Sequence, residues 1–284
     1  MARSVRIIPR LDIKGPNLVK GIKFEGLRVL GKPEDFARYY YENGADELIY
    51  IDAVASLYER NSLVDIIEKT SRQIFIPLTV GGGLRTIDDI RTVLRMGADK
   101  VAINTAAIRR PELISEASRT FGSSTIVVSI EAIKRPDGVY EAYTEYGRER
   151  SGIDAVEWAV RAVKLGAGEL MVTSIDREGT GSGFDTVLTS KIAALVPVPV
   201  IAGGGAGNTE DIFKAISEGK ADAISVASML HYNYFRHFKY EKSDFSSEGN
   251  IEFLKKGEVP AMVEDVSIND IKRYLFDLGI CCRI

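Results

Sequence analysis

Short apolar runs alternate with longer amphipathic stretches along almost the whole chain. The apolar runs predict strands near 5–11, 47–52, 74–79, 100–104, 125–131, 169–174, 198–202 and 222–226. The stretches with helical periodicity predict helices near 33–44, 62–71, 86–97, 110–120, 152–166, 186–195, 208–219 and 266–278. Two helix starts carry capping residues, Thr86 before Ile-Asp-Asp and Asn208 before Thr-Glu-Asp. Strands alternating with helices imply a parallel sheet joined by right-handed crossovers, and eight such units close into a (β/α)8 barrel.

The pattern also repeats. Val80-Gly81-Gly82-Gly83 and Ala202-Gly203-Gly204-Gly205 each close an apolar run and open a helix, 122 residues apart (203 − 81). Asp12 and Glu131 end the first and fifth predicted strands, and Asp52 and Asp176 end the second and sixth. The chain therefore reads as one (β/α)8 TIM barrel over 1–284, built from two similar half-barrels. Three stretches are too long for simple connectors: 14–32, 134–151 and about 232–264. The second alternates from Val139 to Thr144 around turn residues and predicts a hairpin. The third is aromatic and charged, from Tyr232 through Tyr234, Phe235 and Phe238 to Tyr240. All three follow strand C-termini, the barrel end at which active sites form.

Composition narrows the class of function. A net charge of −3 argues against a general nucleic-acid surface and against a polybasic membrane patch. No apolar run approaches the ~20 residues of a membrane-spanning helix. The basic N-terminus runs into Pro9, Arg10 and Asp12, which suits a first strand and not a signal peptide. Cys281 and Cys282 are adjacent, and His231 and His237 share one segment, so neither a disulfide nor a metal-ligand spacing is expected. The expectation is a cytoplasmic protein with no cofactor and no metal.

Glycines at a strand-to-helix turn let backbone amides approach an anion, and the helix N-terminus adds a favourable dipole. Gly82 and Gly83, with Asn104 and Thr105 at the next strand end, make one candidate phosphate cradle. Gly204 and Gly205, with Ala227 and Ser228, make the other. Two cradles related by the repeat suggest a small molecule with a phosphate at each end; tight turns alone are the plainer alternative. Asp12 and Glu131 face each other across the mouth and suit an acid and a base, or two solvated loop carboxylates. Lys20, Asp52, Thr173 and Asp176 are candidate substrate contacts, with helix capping the plainer role for Asp52 and Asp176.

Taken together, Leu11-Asp12-Ile13-Lys14, Val80-Gly81-Gly82-Gly83, Gly97-Ala98-Asp99-Lys100-Val101, Ile103-Asn104-Thr105-Ala106-Ala107, Thr173-Ser174-Ile175-Asp176-Arg177 and Ala202-Gly203-Gly204-Gly205-Ala206-Gly207 resemble the cyclase subunit of imidazole glycerol phosphate synthase. The resemblance spans nearly all of the chain outside 232–264. It implies a barrel that takes ammonia from a glutaminase subunit bound at its N-terminal face. At its C-terminal face, that barrel cleaves and cyclises a bis-phosphorylated ribulosyl substrate. It further implies that Asp12 and Glu131 are the catalytic pair and that Arg6, Glu47, Lys100 and Glu169 match a salt-bridged ammonia gate, with Asp99 beside them at the partner surface. A stabilising ion-pair ring is the plain reading of those four charges.

The departures cluster at the substrate end. Glu131 stands where the family has Asp, and a displacement of about 1 Å can cost ~100-fold in rate. Arg10 replaces a usual Cys, Lys14-Gly15-Pro16-Asn17 replaces Lys-Asp-Gly-Arg, Gly203 replaces a Ser, and 232–264 is longer. Two readings therefore stay open. The default is the imidazole-forming cyclase of histidine biosynthesis. The alternative resembles paralogues that supply ammonia for acetamido-to-acetamidino sugar conversion in surface-polysaccharide synthesis. A sister isomerase barrel would need no ammonia gate, and a non-catalytic scaffold would not need two phosphate loops.

Overall fold

The computed structural model describes residues 4–55, 63–237 and 263–283. In chain order its strands are β1 (Arg6–Lys14), β2 (Asn17–Ile22), β3 (Glu25–Gly31), β4 (Leu48–Asp52), β5 (Leu78–Gly81), β6 (Lys100–Ile103), β7 (Ile126–Lys134), β8 (Tyr140–Thr144), β9 (Glu149–Asp154), β10 (Glu169–Ser174), β11 (Val200–Gly203) and β12 (Ala223–Val226). Its helices are α1 (Pro33–Glu42), α2 (Val64–Ser71), α3 (Ile87–Arg95), α4 (Thr105–Arg109), α5 (Glu112–Phe121), α6 (Ala155–Leu165), α7 (Thr186–Ala193), α8 (Thr209–Ser217), α9 (Ser228–His237) and α10 (Ile268–Asp277). Strands β1, β4, β5, β6, β7, β10, β11 and β12 pair in parallel in that order, and β12 returns to β1. The barrel is closed, with helices between its strands, as the alternation predicts.

Side-chain parity decides what faces inward. Along β1, Ile7, Leu11 and Ile13 join the layer between barrel and helices, whereas Ile8 belongs to the inner cluster with Ile49, Ala102, Val127, Met171, Ile201 and Ala223. Arg6, Arg10 and Asp12 share the parity of Ile8, because successive strand residues point to opposite faces. The barrel axis is thus charged at the bottom, apolar in the middle and charged again at the mouth.

Two antiparallel hairpins extend the mouth. Strands β2 and β3 continue from β1, and β8 and β9 continue from β7. The second hairpin matches the expectation for 134–151; the first had been expected only as a long connector. Both turns place two non-glycine residues at positive φ, Lys23 and Phe24 in one, Glu145 and Tyr146 in the other. Phe24 and Tyr146 are also 122 residues apart (146 − 24), and their rings meet over the mouth with centroids 4.2 Å apart.

Three sequence expectations need correction. The third barrel strand runs Leu78–Gly81, not 74–79, because Pro77 has no amide to donate and Phe75 points outward, 81% exposed. The helix expected from 152 begins at Ala155, since β9 occupies 149–154 and Asp154 caps the helix through Val156 N (2.7 Å) and Glu157 N (3.0 Å). The repeat pairs Asp52 with Ser174, not with Asp176: a Cβ on Gly82 would lie 2.5 Å from Asp52 O, and one on Gly204 2.7 Å from Ser174 O.

The aromatic stretch from Tyr232 opens as the end of α9, where Phe36, Tyr39 and Tyr234 pack together. Phe238, Tyr240 and the remainder through 262 lie outside the described residues. The two flanks meet: Asn233 Nδ2 donates to Asp265 Oδ1 at 2.8 Å, and Arg236 Nη1 pairs with the same oxygen at 3.3 Å. No helix among the described residues is long and apolar enough to cross a membrane.

Candidate active site

The mouth holds a buried polar cluster. Arg10 is 2% exposed; its Nε donates to Asp12 Oδ1 at 2.9 Å, and its Nη1 reaches across to Thr173 Oγ1 on β10 at 3.2 Å. Its guanidinium also lies 5.2 Å from the centre of the Phe24 ring. Glu131, on β7, is buried on the opposite wall and accepts from Asn104 Nδ2 at 3.2 Å. Burial pushes its carboxyl up to about 7; Arg10 opposes that shift and Asp12 adds to it. Asp12 is ion-paired and Glu131 holds its proton near neutrality, so the two carboxyls have different roles open to them.

The first cradle is open. Gly82 and Gly83, at φ +97° and +71°, turn the chain from β5 toward α3, whose start is closed by a Thr86–Asp89 capping box. With Asp52, Asn104, Thr105 and Glu131 they line a cavity of about 260 Å³. Arg85, Arg109 and Arg110 stand on its rim, cations that the sequence reading did not single out. Glu145 lies in the cavity wall: its N–H donates to Thr105 Oγ1 (3.0 Å), and its carboxylate pairs with Arg109 (2.9 Å). The β8–β9 turn thus reaches into this cavity and already engages Arg109.

The second cradle has the same backbone but is nearly filled. Gly204 and Gly205, at φ +85° and +116°, precede the Asn208–Asp211 capping box of α8. With Arg10, Glu178, Ala227 and Ser228 they line a cavity of only about 10 Å³. Lys20, on β2, forms a buried ion pair with Glu178, and Lys23 N donates to Glu178 O at 2.8 Å. The first hairpin is therefore fastened over this cradle.

The structure brings together Asp12, Glu131, Lys20, Thr173 and both glycine loops. Asp52 lines the first cavity while its Oδ1 accepts from Val54 N at 3.0 Å. Asp176 lines neither cavity and accepts from Lys134 N at 3.0 Å, at the base of the second hairpin. Glu178 and Tyr146 were missed because each lies in a loop whose contacts come from the other half of the barrel. His231 is a core residue: burial, with Lys20 nearby, pushes it down to about 3, and Nδ1 bonds Tyr40 Oη at 2.7 Å.

At the opposite barrel end, Arg6, Glu47, Lys100 and Glu169 form a closed ring. Arg6 pairs with Glu47 at 2.7 Å and with Glu169, and Lys100 bridges the same two carboxylates at 3.0 Å each. Asp99, beside the ring, accepts from Leu78 N at 2.9 Å, and Asp46 and Asp222 accept from Ile7 N (2.7 Å) and Val200 N (2.8 Å). Aspartates just before three strands tie each to its neighbour, a recurrent Ala-Asp that is visible in the sequence.

With this geometry in view, residues 6–236 match the family described as Histidine biosynthesis protein. The chain belongs to that family. Among curated members, the imidazole glycerol phosphate synthase subunit HisF of Legionella pneumophila is 55% identical over 208 residues, 73% of this chain and 98% of its own length. The subunit of the same name from Alkaliphilus metalliredigens is 48% identical over 228 residues, 80% of this chain and 90% of its own. That of Methanocaldococcus jannaschii is 47% identical over 249 residues, 81% and 92%. The family match spans both half-barrels, both glycine loops and the charged ring.

Proposed function

We propose that this barrel is the cyclase subunit of an imidazole glycerol phosphate synthase, working with a glutaminase partner in histidine biosynthesis. The observation that carries this reading is Glu131 in the wall of one glycine cradle and Asp12 bonded to Arg10, which lines the other. Gly82, Gly83, Asn104 and Thr105 would hold one phosphate of a bis-phosphorylated substrate, and Gly204, Gly205, Ala227 and Ser228 the other. Lys20, Asp52, Thr173 and Asp176 are proposed substrate contacts, the last requiring movement of the hairpin it supports. Asp12, held in an ion pair, is the base; Glu131, protonated near neutrality, is the acid. The relatives above favour the synthase, and the sugar-amidination alternative gains no support from them.

We place the ammonia entrance at the ring of Arg6, Glu47, Lys100 and Glu169. Above the ring the barrel interior is apolar, which suits neutral ammonia and disfavours ammonium. The glutaminase is proposed to dock on this face, where Phe75 and Leu195 precede strands β5 and β11 and are 81% and 58% exposed. Strands of about 5–6 residues at roughly 3.3 Å each put ring and mouth roughly 17–20 Å apart.

Purified protein supplied with ammonium salt near neutral pH, where Glu131 keeps part of its proton, should turn over the bis-phosphorylated ribulosyl substrate, and Asp12→Asn should abolish turnover. Glu131→Asp should retain or raise it. A folded wild type without turnover, beside an active Glu131→Asp, would refute the assignment.

A further inference from the structure

Arg10 is the cation that lines the small second cavity among its described residues. Two of its nitrogens are used, Nε on Asp12 and Nη1 on Thr173. Its Nη2 is buried and has no hydrogen-bond partner. A buried donor without a partner is costly, and a guanidinium presents its donors as a rigid fork matched to carboxylate and phosphate oxygens. The only carboxylate lining the cavity, Glu178, is already paired with Lys20. The remaining walls are Gly179, Gly204, Gly205, Ala206, Ser225, Ala227 and Ser228, which offer amides and hydroxyls but no charge.

We propose that Arg10 is a substrate-binding residue, its Nη2 pairing with an oxyanion, a phosphate monoester, seated in the second glycine cradle. The inference rests on the reading of Gly204 and Gly205 as a phosphate cradle and adds to it a charged ligand supplied from β1. Arg10 thereby links the two parts of the site: one edge of its guanidinium orients Asp12, and the other meets the anion. The closed cavity is too small for phosphate, so the anion enters as the first hairpin lifts. That movement separates Lys20 from Glu178 and Phe24 from Arg10, and leaves Lys20 free to follow the anion. The groups facing Arg10 are Asp12, Tyr146, Glu178 and Glu131. An arriving dianion raises the local negative charge, so it binds more tightly at a pH where Glu131 keeps its proton.

The full chain is titrated with inorganic phosphate, and crystals are soaked in the same ion. Wild type should bind one phosphate near Gly82 and Thr105 and a second near Gly204 and Ser228, the second within hydrogen-bond distance of Arg10 Nη2. Arg10→Met should weaken the second site about tenfold or more and leave the first unchanged. Arg10→Lys should recover part of that loss. With the bis-phosphorylated substrate, Arg10→Lys should raise KM more than it lowers kcat, a split that a purely structural role does not give. If Arg10→Met fails to fold because Asp12 loses its partner, the wild-type anion contact and Arg10→Lys decide the matter. Phosphate in the second cradle without contact to Arg10, or with unchanged affinity in Arg10→Lys and Arg10→Met, overturns the role of Arg10. Phosphate in neither wild-type cradle overturns the cradle reading itself, and Arg10 with it.

Discussion

Glu131 shows how a single residue couples stability to chemistry. Its carboxyl ordinarily titrates near 4.5 and here near 7, chiefly through burial. Between those values the folded state holds a proton that the unfolded chain has released, so stability falls as pH rises from about 4.5 to about 7, by at most roughly 3 kcal/mol. Glu131→Gln cannot release the proton and should flatten this part of the stability curve, as urea unfolding at a series of pH values would measure. Under the proposed role of Glu131 as the acid, kcat at fixed free ammonia should fall as pH passes about 7. A flat kcat profile through that range would remove Glu131 as the acid. At the glycine loops the constraint is steric. Gly82→Ala would put a Cβ 2.5 Å from Asp52 O at a φ of +97°, and should cost about 1–3 kcal/mol in thermal unfolding as well as phosphate binding at the first cradle.

Among elements, the two hairpins matter most. Each continues the first strand of a half-barrel, and their turns meet as Phe24 on Tyr146. The first hairpin covers the second cradle through Lys20, and the turn of the second enters the first cradle through Glu145. Each half thus covers the glycine loop of the other. Phe24→Ala removes the ring contact and the cation–π partner of Arg10, so amides of 17–31 should exchange faster with solvent while the barrel strands keep their protection. Equal exchange in both proteins would show that the stacking does not hold the hairpin down. The 134–151 hairpin was legible because its residues alternate around turn residues. The 14–32 hairpin was not, because its turn uses Lys23 and Phe24 at positive φ, a conformation their identities do not advertise.

On the scale of the whole molecule, the barrel separates two charged ends by an apolar middle. Lys100→Met would leave Glu47 and Glu169 with Arg6 alone, and at these largely buried positions should cost about 3 kcal/mol in unfolding free energy. It should also uncouple glutamine-dependent from ammonium-dependent turnover; loss of both to the same degree would make the ring merely structural. The described residues that flank 238–262 meet in the Arg236–Asp265 ion pair, and 240–262 follows the last barrel strand in the chain. Its deletion should leave glutaminase binding intact, and loss of that binding in a folded deletion mutant would contradict docking at the ring face.

The order of apolar runs, the two glycine loops and their 122-residue spacing were enough to specify the barrel, because alternating period-2 and period-3.6 patterns have few other closed solutions. The same local patterns located Asp12 and Glu131 at strand ends, while the four ring charges were singled out by the family resemblance. What stands opposite what was left to tertiary structure. Arg10 reaches Thr173 across 163 residues of chain, Lys20 finds Glu178 across 158, and Ser174 takes the place that counting along the chain gave to Asp176. Burial, and with it the proton on Glu131, is a property of the closed barrel: it depends on how many other strands exclude water from a side chain, which no window along one strand contains.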